Sequence, residues 1–162
     1  MDPEVIGPDE LGDIAAGFFF RPPPRFAVFR EGARFALSSA EDPGVLLVVP
    51  HDARDADALA TQLLEGWLEE GVELRPAAGL TREEGGGLRI ELSGTLHGTA
   101  ARAVARAAFA PRGGGALVLA LAAQEHWEPR RYDAYAVMLV RSLRWAGQPS
   151  PGVEPGRTRQ GE

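Results

Sequence analysis

The chain of 162 residues is 44% apolar and 25% charged, the composition of a globular domain rather than a disordered or fibrous chain. It contains no cysteine, which excludes disulfides, thiolate metal sites, iron–sulfur clusters and a cysteine nucleophile together. A net charge of −6 argues against general nucleic-acid binding, because neutralising phosphate needs a cationic surface.

Residues 1–13 read as a flexible acidic N-terminus. They hold Asp2, Glu4, Asp9, Glu10 and Asp13 with no cation, the opposite of the basic start of a secretory signal. The longest apolar stretches, 44–50 and 116–123, fall short of the roughly 20 residues that cross a bilayer. A cytoplasmic protein without membrane insertion is therefore expected. Residues 14–146 form the expected single globular domain, and 147–162 (GQPSPGVEPGRTRQGE) a disordered Pro/Gly-rich tail.

Within 14–146, Phe18 to Phe20 followed by Pro22, Pro23 and Pro24 predicts a short strand stopped by a segment that cannot donate ladder hydrogen bonds. Phe26 to Phe29 and Arg34 to Ser38, joined through Glu31 and Gly32, predict a hairpin. Val45 to Val49, continuous and β-branched, predicts a central strand buried on both faces and ended by Pro50. From Asp55 to Glu70 the pattern is helical, with Leu59, Leu63, Leu64 and Trp67 on one face and Gly71 as its stop. Val72 to Arg75 and the alternating Leu88 to Leu92 predict strands. Alanines and arginines favour a helix over 99–109 by propensity. Its place between a strand and the run Ala116 to Ala122 favours a strand in a meander instead. Pro129 then opens a helix with Tyr132, Tyr135, Ala136, Leu139 and Leu143 on one stripe and Arg130, Asp133, Arg141 and Arg144 facing away. The resulting expectation is an α+β fold: a mostly antiparallel sheet sandwiched by helices, with two main amphipathic helices.

Chemistry-bearing residues are sparse. His51, His97 and His126 have no metal-ligand spacing, so neither a metal nor a cofactor is expected. His51, Asp52 and Asp55 fall in a strand-to-helix loop where a small hydrolase or isomerase could place catalytic groups. The competing reading makes Asp52 and Asp55 helix caps. No serine lies in a G-x-S-x-G elbow, and a chain without lysine has neither a P-loop nor a Schiff base. The glycine triplets read as hairpin turns. No catalytic residues are therefore assigned, and the protein is not expected to be an enzyme. Two features suit binding. Arg21 to Arg25 (RPPPR) is either a polyproline ligand or a rigid turn. Arg102, Arg106, Arg130, Arg141 and Arg144, with Arg112, would make a basic partner-binding face for an acidic ligand if the late strands adjoin the last helix.

Gly17 to Phe20 followed by Pro24-Arg25-Phe26, the Val45 to Val49 strand leading through Asp55 into a helix, and the ending Leu139 to Trp145 (LVRSLRW) together resemble PsbP/Mog-like (DcrB-like) domains. The resemblance spans Ala15 to Trp145. It implies a helix-sandwiched sheet and a non-catalytic role. Members of that group serve as photosystem accessory subunits, Ran-binding factors, periplasmic lipoproteins and chaperones for type VI secretion effectors. It supplies no catalytic residues. The acidic start and the lack of a lipidation cysteine fit a cytoplasmic adaptor or a chaperone of a bacterial secretion system better than a periplasmic member. The expected partner is another protein or peptide segment, and a homodimer stays open.

Overall fold

A computed structural model describes residues 5–7, 10–13 and 16–146. In chain order the elements are β1 (Val5–Gly7), β2 (Glu10–Asp13), β3 (Phe18–Phe20), β4 (Ala27–Glu31), β5 (Arg34–Ser39), β6 (Asp42–His51), α1 (Ala56–Leu64), β7 (Trp67–Glu69), β8 (Val72–Pro76), β9 (Thr81–Arg82), β10 (Leu88–Leu96), β11 (Thr99–Phe109), β12 (Gly115–Ala123), α2 (Pro129–Ser142) and β13 (Arg144–Trp145). The described strands form two antiparallel sheets. A small one runs β1-β2-β3-β13, and a large one runs β4-β5-β6-β12-β11-β10-β8-β7 with β9 beside β10.

Period-2 patterning explains why the middle of the large sheet is apolar throughout. Along β12, Ala116, Val118, Ala120 and Ala122 point into one core, and Leu117, Leu119 and Leu121 into the other. The first core is closed by β3 and by Tyr132, Ala136 and Leu139 of α2. The second lies inside the curl of the sheet, where Leu74, Leu88, Ile90 and Leu92 meet Leu59 and Leu63 of α1. The ambiguous 99–109 segment is a strand paired along its length with β10 and β12. Its alanines suit a strand pressed between neighbours on both faces, where packing overrides propensity.

The helix-sandwiched α+β fold is overturned. Strands make up 51% of the structure and helices 19%, in a curled half-barrel that is predominantly β. The reason lies in α1, which ends at Leu64 instead of continuing to Glu70. Gly66 has φ +96°, and a Cβ there would stand 2.4 Å from the Leu74 carbonyl oxygen. The chain leaves the helix at that point and turns Trp67 into β7, paired with β8. Curvature of the sheet, more than a helical layer, therefore closes the second face. An ion pair at 3.0 Å between Arg34 of β5 and Glu69 of β7 crosses the seam.

Other expectations shift as well. Part of the stretch expected to be a flexible N-terminus forms β1 and β2, which pair with each other and through Leu11 and Gly12 with β3. Glu10 in this stretch takes two hydrogen bonds from Arg144, at 3.1 and 2.9 Å. The expected tail at 147–162 lies outside the described residues. Strand β6 continues through Pro50 to His51 and begins early, at Asp42.

Asp42 is buried, and its carboxylate accepts hydrogen bonds from Tyr132 Oη at 2.5 Å, Tyr135 Oη at 2.9 Å and the Gly44 amide at 2.9 Å. This joins the start of β6 to the first two turns of α2. Asp133 does not face away from the sheet: it accepts from Arg106 at 3.0 Å and Arg89 at 3.2 Å, pinning the same helix to β10 and β11.

Candidate functional site

Among the described residues, β4 has no further strand on its outer side. The two-residue turn Gly32-Ala33 makes Glu31 and Arg34 the closing pair of the β4–β5 hairpin. In such a hairpin the closing pair is hydrogen-bonded and every second pair after it is too. Phe29 therefore bonds to Ala36, while the N–H and C=O of Val28 turn outward. On the same strand Phe29 is 48% exposed and Ala27 is exposed.

A groove of about 800 Å³ runs along this edge, lined by Pro22, Pro23, Pro24, Phe26 and Phe29 with Leu11 and Glu10 of β2. The proline segment is its wall. The Arg21 amide donates to Ser142 Oγ at 2.9 Å and the Phe26 amide to the Pro23 carbonyl at 3.3 Å, while Arg25 takes φ +73° as the chain turns. Phe26 also packs edge-on against Tyr135, with ring centroids 5.0 Å apart. The RPPPR segment is thus a rigid turn that borders a groove. Arg21 and Arg25 line the groove as well. Glu10, its one carboxylate, is spoken for: the Arg144 hydrogen bonds and charge hold it below the usual carboxylate range against the opposing effect of burial.

The late arginines do not make one open basic face. Arg106 is bonded to Asp133 and Glu83, and Arg144 to Glu10 while lying 4.5 Å from the centre of the Phe19 ring. Arg102 is half-buried with Glu91 4.0 Å away. Only Arg130 and Arg141 of the five stand exposed.

His51 and Asp55 of the strand-to-helix loop are also committed. The His51 ring engages the Ala108 carbonyl through Nε2 at 3.0 Å and accepts the Ala53 amide at Nδ1, 3.2 Å away. That fixes a neutral tautomer with its proton on Nε2. Burial lowers the His51 pKa, outweighing the carbonyl contact and the Asp52 charge that favour protonation. Asp55 caps α1 by accepting the Ala58 amide at 3.0 Å. Neither group is placed to exchange a proton with a substrate. His97 is the turn residue between β10 and β11, with φ +51°, and His126 sits in a 3₁₀ turn before α2. Among the described residues no cluster of His, Asp and Glu could hold a metal ion, and no helix is long and apolar enough to cross a membrane.

Reading the sequence alone misses both Asp42 and the β4 groove. The triple proline before an alternating strand was the available signal for the groove. Nothing local marks Asp42, whose tyrosine partners lie about 90 residues along the chain.

Comparison with known proteins finds no matching family model and no matching curated protein.

Proposed function

We infer that the protein is a non-catalytic adaptor that takes up an extended segment of another protein along the outer edge of β4. The observation that carries this reading is the coincidence of an open strand edge with a rigid apolar groove beside it. Main-chain hydrogen bonds to such an edge give affinity, and side chains seated in adjoining pockets give specificity. Phe29 and the prolines would receive apolar side chains of the segment. Arg21, beside a Glu10 already engaged by Arg144, favours one that also carries a carboxylate, while Arg25 is held by Glu41 at 2.6 Å. The partner is therefore an extended apolar segment with an acidic residue.

The test places a photo-crosslinking benzoylphenylalanine at Phe29 in the native host, and a second at Leu68, 53% exposed on the opposite edge strand. Capture at position 29 of one defined protein, through a peptide of that composition and competed by the synthetic peptide, supports the reading. In a chain carrying Phe29→Glu, the synthetic peptide is expected to lose about tenfold in affinity, as truncated interface anchors commonly do. Equal capture at both positions, or a peptide indifferent to Phe29→Glu, defeats it.

A further inference from the structure

A second cleft, of about 410 Å³, lies at the other end of β6, away from the β4 groove. Its walls come from two loops that the fold ties together. Antiparallel pairing sets Gly115 of β12 opposite His51 of β6, so the tip of the β11–β12 hairpin lies beside the loop that leads into α1. The Gly114 amide donates to the Ala53 carbonyl at 2.9 Å, and the His51 ring bridges Ala53 and Ala108. These contacts hold the cleft in shape before anything enters it.

What the two loops bring together is distinctive for this chain. Most described arginines are paired with acids, yet Arg54 from one loop and Arg112 from the other both line this cleft and are exposed with no acid partner among the described residues. Trp145, half-buried, also lines the cleft. Asp52 adds a carboxylate that neither guanidinium engages. Two guanidiniums from separate loops suit a phosphate, whose oxygens accept from both. An aromatic face suits a planar ring. A carboxylate at a cationic site repels the phosphate and accepts from hydroxyl or amino groups on the same molecule, the role acids play toward ribose hydroxyls in nucleotide sites. The volume lies in the range of small-molecule sites, about 300–1,000 Å³.

We propose that this cleft binds a small organic phosphate of the nucleoside monophosphate type, with the phosphate between Arg54 and Arg112, the ring on Trp145 and a hydroxyl or amino donor on Asp52. The proposal is independent of the adaptor reading, since the two sites share no lining residue.

The experiment is calorimetric titration of the full chain with adenosine monophosphate, and in parallel with adenosine and with ribose 5-phosphate. The monophosphate is expected to bind best, adenosine to lose the phosphate contribution and ribose 5-phosphate the ring contribution. Arg54→Gln and Arg112→Gln should each weaken the monophosphate by about 10-fold, the scale of one charge-assisted hydrogen bond. Both residues are exposed loop positions, so the variants keep the fold. Arg130→Gln, exposed on α2 away from the cleft, should match the unaltered chain, and added salt should weaken binding. Asp52→Asn should tighten ribose-free phenyl phosphate, which has no donor to offer it. No binding at millimolar nucleotide, adenosine binding as tightly as its monophosphate, or equal losses in the Arg54, Arg112 and Arg130 variants would overturn the proposal.

Discussion

Asp42 shows how one side chain can set the pH range of the whole fold. Burial alone would raise its pKa, but hydrogen bonds from Tyr132, the Gly44 amide and Tyr135, with the charge of Arg131, together hold it below its ordinary 3.8. Tyr132 is pushed up by burial first and by the Asp42 carboxylate next, so it remains a donor throughout the working range. Glu10 and Asp133 are lowered too. For each of these acids the folded pKa is below the unfolded one. Their stabilisation is thus complete above the unfolded values and is lost as pH falls through the folded ones. His51, also lowered from 6.5, acts in the same direction but earlier: its neutral form is favoured in the fold, so stability begins to fall once pH drops below about 6.5. Urea midpoints between pH 7 and pH 3 should decline in two stages. Asp42→Asn should cost about 1–3 kcal/mol at pH 7, as disruption of a buried charged hydrogen-bond set does, and should flatten the lower stage. A midpoint curve unchanged in shape by Asp42→Asn would remove Asp42 from this role. Position 44 belongs to the same lock, because a Cβ there would fall 2.3 Å from the Tyr132 ring. Gly44→Ala should therefore destabilise by about 1–3 kcal/mol through overpacking, read from the same urea midpoints.

At the scale of elements, Gly66 separates two readings of the same residues. The helical period over 55–70 is real as far as Leu63, and then Leu64 stands 55% exposed while Trp67 enters a strand. Were the helix continuous, Gly66→Ala would stabilise it by about 1 kcal/mol. With φ +96° and the Leu74 carbonyl against any Cβ, the same change should destabilise by about 1–3 kcal/mol, the scale of a strained backbone. The sign of the shift in thermal midpoint decides. This is also where legibility in the sequence ends. The β4–β5 hairpin, the two-faced β6, β12 as a strand and the start of α2 at Pro129 were readable because their signals are local: an apolar run, a turn glycine, a first-turn proline. The end of α1 was not, since periodicity does not distinguish six more helical residues from a turn and a three-residue strand. Nor could the arginine stripe be sorted. Whether Arg106 meets solvent or Asp133 depends on how α2 lies across β11, and no spacing along the chain encodes that. In the His51 loop the cap at Asp55 was legible and is present, whereas the contacts of the His51 ring, to backbone groups 2 and 57 residues away, were not.

Over the whole molecule, the curled sheet distributes stability unevenly. Strands β6, β12 and β11 have side chains buried on both faces and are paired on both edges. Opening them locally would expose two cores at once, so their amides should exchange only through global unfolding. Edge strands β4 and β7 have one paired side among the described residues, and β7 is three residues long. Their outer amides should exchange by local fraying. Hydrogen exchange followed by mass spectrometry should thus rank peptides from β12, β11 and β6 slowest, then β10, with β7 and β4 fastest in the large sheet. The ranking bears on function, because an edge that accepts an added strand gains the hydrogen bonds it lacks when free. Addition of the partner peptide should slow exchange in β4 and leave β7 at its original rate. Protection that rises equally at both edges would mean the peptide stiffens the sheet as a body and is not seated along β4.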